Sequence, residues 1–216
     1  MQCCFGATRN NFSSFKCNEA AKVAFGSKMN GFHKKITFCL AMLAVPLAGN
    51  VQAQQASVWD LASKISGLPK GIIYGIAMQE SRYRYADGVS RPYPWTLNIN
   101  GNPPTPLRFS TKEDASRKLV SLIEAGVTNI DVGAMQVNYR YHGHSVARPE
   151  HLLDPKTNLM VAAVILSEHM KRNNGDQAKA IADYHSRSPG IGGRYAQNVY
   201  SLIDLNRAQL KRIGGS

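Results

Sequence analysis

Ile72, Ile76 and Glu80 stand four residues apart in the run GIIYGIAMQES. In an α-helix they share one face, so a carboxylate is carried at the end of an apolar stripe. Such a face has to be buried, and burial disfavours the charged form of a carboxyl group. This single spacing therefore constrains both how the helix packs and what its last turn can do.

The surrounding pattern is helical. Apolar residues recur from Val58 and Leu61, and Gly67, Leu68 and Pro69 separate that first helix from the one that Glu80 closes. From 94 to 110, WTLNINGNPPTPLRF alternates in character around Asn100-Gly101 and nearby prolines, which predicts a short hairpin or flap. Ser110 with Glu113 forms a capping-box signature for a helix through Leu119 and Ile123 that ends at Gly126. The segment NIDVGAMQVN reads as a loop. Asp154-Pro155 is a cap with a first-turn proline for a buried helix from Asn158 to about Met170, and Asp176 caps another to about Tyr184. After SRSPGIGG, read as a loop, a last amphipathic helix is expected from about Arg194, carrying Val199, Leu202 and Ile203. The fold class is thus mainly α, in the α+β sense of helices with one small β element.

A chain of 216 residues with 44% hydrophobic and 19% charged residues can bury one real core. Its N-terminus reads differently. From Met29, a basic pair at Lys34 and Lys35 precedes the apolar run Ile36 to Gly49, with small residues Val51 and Ala53 behind it. That is the layout of a secretory signal peptide over 29–53 cleaved after Ala53, and it is shorter than the roughly 20 apolar residues of a stable membrane span. Because this signal is complete from Met29, residues 1–28 read as an upstream extension and Met29 as an alternative start.

The expectation is an exported, periplasmic domain over 54–216. All four cysteines, at 3, 4, 17 and 39, precede the expected cleavage, so the mature domain has no disulfide, thiol nucleophile or cysteine metal site. Cleavage removes six of 26 Lys/Arg and one of 14 Asp/Glu, leaving a net charge of +7. A basic exported protein suits a polyanionic wall or an anionic membrane surface, and its compartment argues against nucleic acid.

Three short segments follow in order: Glu80-Ser81-Arg82-Tyr83, Gly133-Ala134-Met135-Gln136 and Ala182-Asp183-Tyr184-His185. Together they resemble the catalytic domain of the soluble-type lytic transglycosylases, whose pattern is E-S-x-F/Y, then G-L-M-Q, then A-Y-N. The resemblance runs from about Val58 to Leu205. Ala134 stands where leucine is usual, Asp183 intervenes before the tyrosine, His185 replaces asparagine, and Pro92 to Phe109 is an insertion. These departures resemble the specialised branch associated with conjugation, type IV secretion and pilus assembly.

The resemblance implies a lysozyme-like fold and cleavage of the MurNAc-GlcNAc β-1,4 bond of peptidoglycan glycan strands, with formation of a 1,6-anhydro sugar. Glu80 is then the lone catalytic acid and base. Protonating a glycosidic oxygen near neutral pH needs a carboxyl raised well above its ordinary value of about 4.3, which the isoleucine face supplies by desolvation. The resemblance also implies substrate-binding roles. Ser81 hydrogen-bonds near Glu80 or the sugar, Met135 and Gln136 line the cleft, Tyr184 holds Glu80 or the acetamido group, and His185 stands where the family has its asparagine.

Ser81 as a helix-end residue, Met135 as core and Tyr184 as a buried aromatic are the structural alternatives. Tyr139, Tyr141, Tyr195 and Trp95 are candidates for sugar stacking or for the core. Asp87 and Asp131 are the acidic residues placed to act as a second carboxylate, with turn or cap formation as their alternative. His142, His144 and His185 lack a zinc-like spacing, so neither metal nor cofactor is expected. Two other functions stay open: a lysozyme-like hydrolase, and a non-catalytic peptidoglycan-binding assembly subunit.

Overall fold

The computed structural model describes residues 57–212; the expected leader, the cysteines and Met29 lie outside the described residues. The chain opens with α1 (Val58–Ser66) and α2 (Lys70–Ser81), joined by Gly67 to Pro69 as the breakers require. A reciprocal capping box starts α1: Asp60 N–H donates to Ser57 Oγ, and Ser57 N–H donates back to the Asp60 carboxylate. Without any linker, α2 runs into β1 (Arg82–Arg84), which pairs antiparallel with β2 (Ser90–Pro92).

The expected hairpin is β3 (Thr96–Ile99) and β4 (Thr105–Arg108), antiparallel in the register Thr96 opposite Arg108. After α3 (Lys112–Glu124), the segment expected to be a loop supplies β5 (Ile130–Val132) and β6 (Val137–Asn138), giving a sheet of order β4-β3-β5-β6. Two small sheets thus replace the one β element read from the sequence. Short strands of two or three residues are too brief to show a period of their own, and cross-strand pairing is what creates them.

Helix α3 starts one residue later than its expected cap. Thr111, not Ser110, accepts from the Asp114 N–H. Next come α4 (Tyr139–His142), a 3-10 turn at Pro149–Leu153 and α5 (Pro155–Arg172), whose N-cap Asp154 accepts from the Thr157 N–H as its position predicts. Asp176 likewise caps α6 (Gln177–His185).

The last long helix, α7 (Pro189–Leu205), begins five residues before the expected start and takes in the glycine-rich segment; α8 (Arg207–Arg212) follows. Glycine weakens a helix locally, but here a side chain cannot fit. A Cβ on Gly192 would lie 2.3 Å from the Ser186 carbonyl oxygen, so the first turn of α7 packs tightly against the end of α6 only because Gly192 has none.

One core joins Ile72, Ile73 and Ile76 of α2 to Leu166 of α5, Ile181 of α6 and Val199 of α7, with Leu97 and Val132 closing it from the sheet. The helical majority and small antiparallel sheets are the α+β class read from the sequence. Among the described residues, no helix is long and apolar enough to cross a membrane.

Candidate active site

Glu80 occupies the last turn of α2, one residue before its end. Ile72 and Ile76, on its face, are 8% and 0% exposed, so the stripe is buried as its spacing demands. The carboxylate itself opens into a cleft of about 740 Å³, lined also by Asp131, Gln136, Asn138, Tyr184 and His185. Burial pushes the Glu80 carboxyl up to about 7; the Tyr195 hydroxyl acts against this and the Asp131 charge adds to it. A carboxyl in that range is protonated often enough to be an acid and ionised often enough to be a base near neutral pH.

The hydroxyl on Glu80 belongs to Tyr195 rather than Tyr184. Tyr195, from α7, donates to Glu80 Oε1 at 2.5 Å. Tyr184, from α6, donates instead to the Met135 carbonyl oxygen at 2.8 Å, fastening the turn between β5 and β6. Burial, reinforced by the negative charge of Glu80, pushes both phenols well above the ordinary tyrosine value, so both remain hydrogen-bond donors. His185 is exposed and lies flat against Tyr195, with ring centroids 4.8 Å apart and planes 5° from parallel. Its ring forms part of the cleft wall beside Glu80 and Tyr195.

Ser81 touches neither Glu80 nor open cleft. It is 2% exposed, donates to the Ala134 carbonyl oxygen at 2.7 Å and accepts from the Tyr93 N–H at 3.1 Å. Its place directly after Glu80 makes it the tie between the end of α2, the start of the flap and the Gly133 turn. Met135 is wholly buried in the core and does not reach the cleft with its side chain. Gln136 does line the cleft; its backbone is held at φ +47, and its amide donates to the Gly133 carbonyl oxygen at 2.9 Å.

The turn carrying Gln136 rests on a buried amide that the motif does not reveal. Asn158 of α5, 1% exposed, donates to the Val132 and Leu152 carbonyl oxygens at 2.8 and 2.9 Å and accepts from the Met135 N–H at 2.8 Å. Gly133 has φ +80, and a Cβ there would lie 2.6 Å from Asn158 Nδ2. Only glycine permits both the turn and the amide beneath it.

Asp131 lines the same cleft as Glu80. Register places Asn98 of β3, Asp131 of β5 and Asn138 of β6 side by side across three strands. Asp131 accepts from Asn138 at 2.7 Å, Asn100 at 2.8 Å and Asn98 at 3.3 Å. Asn98 and Asn100, two apart, share a strand face, which is the signal from which this cradle is readable. Asp87 is elsewhere: exposed in the turn between β1 and β2, it accepts from the Val89 N–H and pairs with Arg91 at 2.5 Å.

The remaining candidates divide. Tyr141 lines the cleft, whereas Tyr139 and Trp95 pack against the core. His142 borders the cleft and, with His144 and Glu168, a smaller neighbouring pocket. No group of three or more His, Cys, Asp or Glu side chains poised to hold a metal occurs among the described residues.

Comparison with known families agrees with this geometry. The model of the transglycosylase SLT domain matches residues 57–203, from the cap of α1 into the last turns of α7. No curated protein and no solved structure matches the chain. Since the match spans well over half the sequence and takes in Glu80, the Gly133 turn and Tyr195, the chain belongs to the transglycosylase SLT domain family, the lytic transglycosylases whose substrate is peptidoglycan.

Proposed function

We propose that this protein is an exported lytic transglycosylase in which Glu80 alone serves as acid and then base. The observation that carries the reading is the Glu80 carboxyl, raised by burial at the cleft wall and aimed by Tyr195. Protonated Glu80 gives its proton to the oxygen between C1 of MurNAc and the GlcNAc that leaves. The C1–O bond breaks, and the acetamido oxygen of the substrate stabilises the positive charge at C1. Glu80, now a carboxylate, takes the proton of the C6 hydroxyl as O6 attacks C1, closing the 1,6-anhydro ring without consuming water.

Gln136, Tyr141 and His185 are the side chains available to hold the sugars along the cleft. Export, with cleavage after Ala53, brings the domain to its substrate. The departures at Ala134, Asp183 and His185 support local wall opening for a conjugation, secretion or pilus apparatus.

The hydrolase reading has one specific observation in its favour: Asp131 lies in the same cleft as Glu80 and its charge bears on the Glu80 carboxyl. Amide donors from Asn98, Asn100 and Asn138 hold Asp131 in place as an acceptor, and a second carboxylate in the same cleft is what stabilises a cationic sugar in a hydrolase. Mass spectrometry of sacculi digested by the protein separates the two. Glycan ends lacking one water are expected; reducing ends alone would overturn the transglycosylase mechanism in favour of hydrolysis.

A further inference from the structure

Outside the cleft lies a second large concavity of about 610 Å³, which shares none of its lining residues with the cleft. Its floor is apolar and aromatic. Trp59 of α1 and Tyr74 of α2 meet edge to face at 5.5 Å, and Ala77, Pro92, Pro94 and Leu159 complete the surface around them. A solvent-open hollow of this composition is the form of a binding site rather than of a packing defect.

Its charge is one-sided. Arg91, Lys156 and Arg212 stand in the lining and no acidic side chain does. Arg91 is held by Asp87 and lies 5.3 Å over the Tyr85 ring, so its position is fixed at the rim. Lys156 and Arg212 are exposed, and Lys156 makes no ion pair among the described residues. An aromatic floor within a cationic rim selects an occupant with an apolar side chain flanked by carboxylates.

The hollow also has a defined relation to the catalytic turn. Ala134 lines it with the buried Met135 beneath, whereas the next residue, Gln136, lines the cleft. Ser81 ties Ala134, which lines the hollow, to the end of α2 directly after Glu80. An occupant would therefore press on the back of the turn that presents Gln136 while leaving the glycan path open.

We infer that this hollow is a docking site for an acidic segment of a partner protein, anchored by an aromatic or leucyl side chain and bound at the same time as the glycan. The test uses the full chain and fluorescein-labelled peptides read by anisotropy, so it needs no glycan cleavage and stands apart from the enzymatic reading. The acidic probe EEFELE is expected to bind, KKFKLK and EESESE to bind at least about tenfold more weakly. The double variant Lys156→Glu with Arg212→Glu alters two exposed residues outside the catalytic machinery. It should weaken EEFELE at least about tenfold while sacculus digestion is unchanged.

Saturating peptidoglycan oligosaccharide should leave EEFELE binding unaltered; competition would make the hollow a glycan subsite and overturn the inference. Equal binding of KKFKLK, or no effect of charge reversal, would also overturn it. So would co-sedimentation with phosphatidylglycerol vesicles, lost on charge reversal, in a protein that ignores EEFELE, since the rim would then face a membrane. Binding that appears only after removal of residues 213–216 would assign the hollow to the chain's own tail.

Discussion

Tyr195 places its hydroxyl 2.5 Å from Glu80 Oε1, joining α7 to the last turn of α2 across 115 positions of sequence. The bond favours the ionised carboxylate, and burial opposes it. The balance leaves the carboxyl at about 7, and because Tyr195 occupies Oε1, the other oxygen is the one the proposed mechanism presents to the glycosidic bond.

Tyr195→Phe removes the donor and leaves the ring that packs against His185. The Glu80 carboxyl should rise further, because the lost bond had favoured its charged form, and the upper limb of the pH profile should move to higher pH. Turnover should fall about tenfold as the carboxyl loses its orientation. Turbidity loss of sacculi measured across pH checks both.

Glu80→Gln should reduce glycan cleavage by at least about a hundredfold while sacculus binding persists. The same variant carries a stability signature. The folded carboxyl titrates at about 7 and the unfolded one near its ordinary value of 4.5, so between these pH values the native state holds the proton and the unfolded state does not. Stability conferred by that proton is full below 4.5 and is lost as pH rises through 7. Thermal melts of the wild type should therefore decline across that window relative to Glu80→Gln, by no more than about 1.4 kcal/mol per pH unit.

Asp131→Asn removes a negative charge that raises the Glu80 carboxyl, so the upper limb of the pH profile should shift to lower pH. With one-carboxylate chemistry, cleavage at the new optimum should stay within about tenfold of wild type and the products remain anhydro sugars. A loss of a hundredfold or more, with reducing ends as the wild-type product, is the outcome expected of a hydrolase.

Asn158→Ala strips three hydrogen-bonded partners from one buried side chain. Leaving the Val132 and Leu152 carbonyls and the Met135 N–H without it should cost about 3 kcal/mol in urea unfolding. Glycan cleavage should fall as well, since Gln136 loses the turn that presents it.

What the sequence determined by itself was local or periodic. The four-residue spacing of Ile72, Ile76 and Glu80 implied a buried face and a raised carboxyl, and the caps at Asp154 and Asp176 were legible because a cap bonds within three residues of itself. The three tetrapeptides identified the family, and with it the α+β fold. Helix α7 was misjudged at its start because glycine propensity spoke against it, while the close approach of α6 that requires Gly192 is invisible in one dimension. The strands β5 and β6 were missed because two or three residues carry no readable period.

The tertiary structure alone decided which residues meet across long separations. It gave Glu80 its partner in Tyr195, turned Ser81 and Tyr184 toward the Gly133 turn instead of Glu80, buried Met135 in the core instead of the cleft, and set Asp131 among Asn98, Asn100 and Asn138. The physical reason is the same in each case. A side-chain hydroxyl or amide bonds to whatever packing brings within 3 Å, and packing is settled by the whole core rather than by the motif around it.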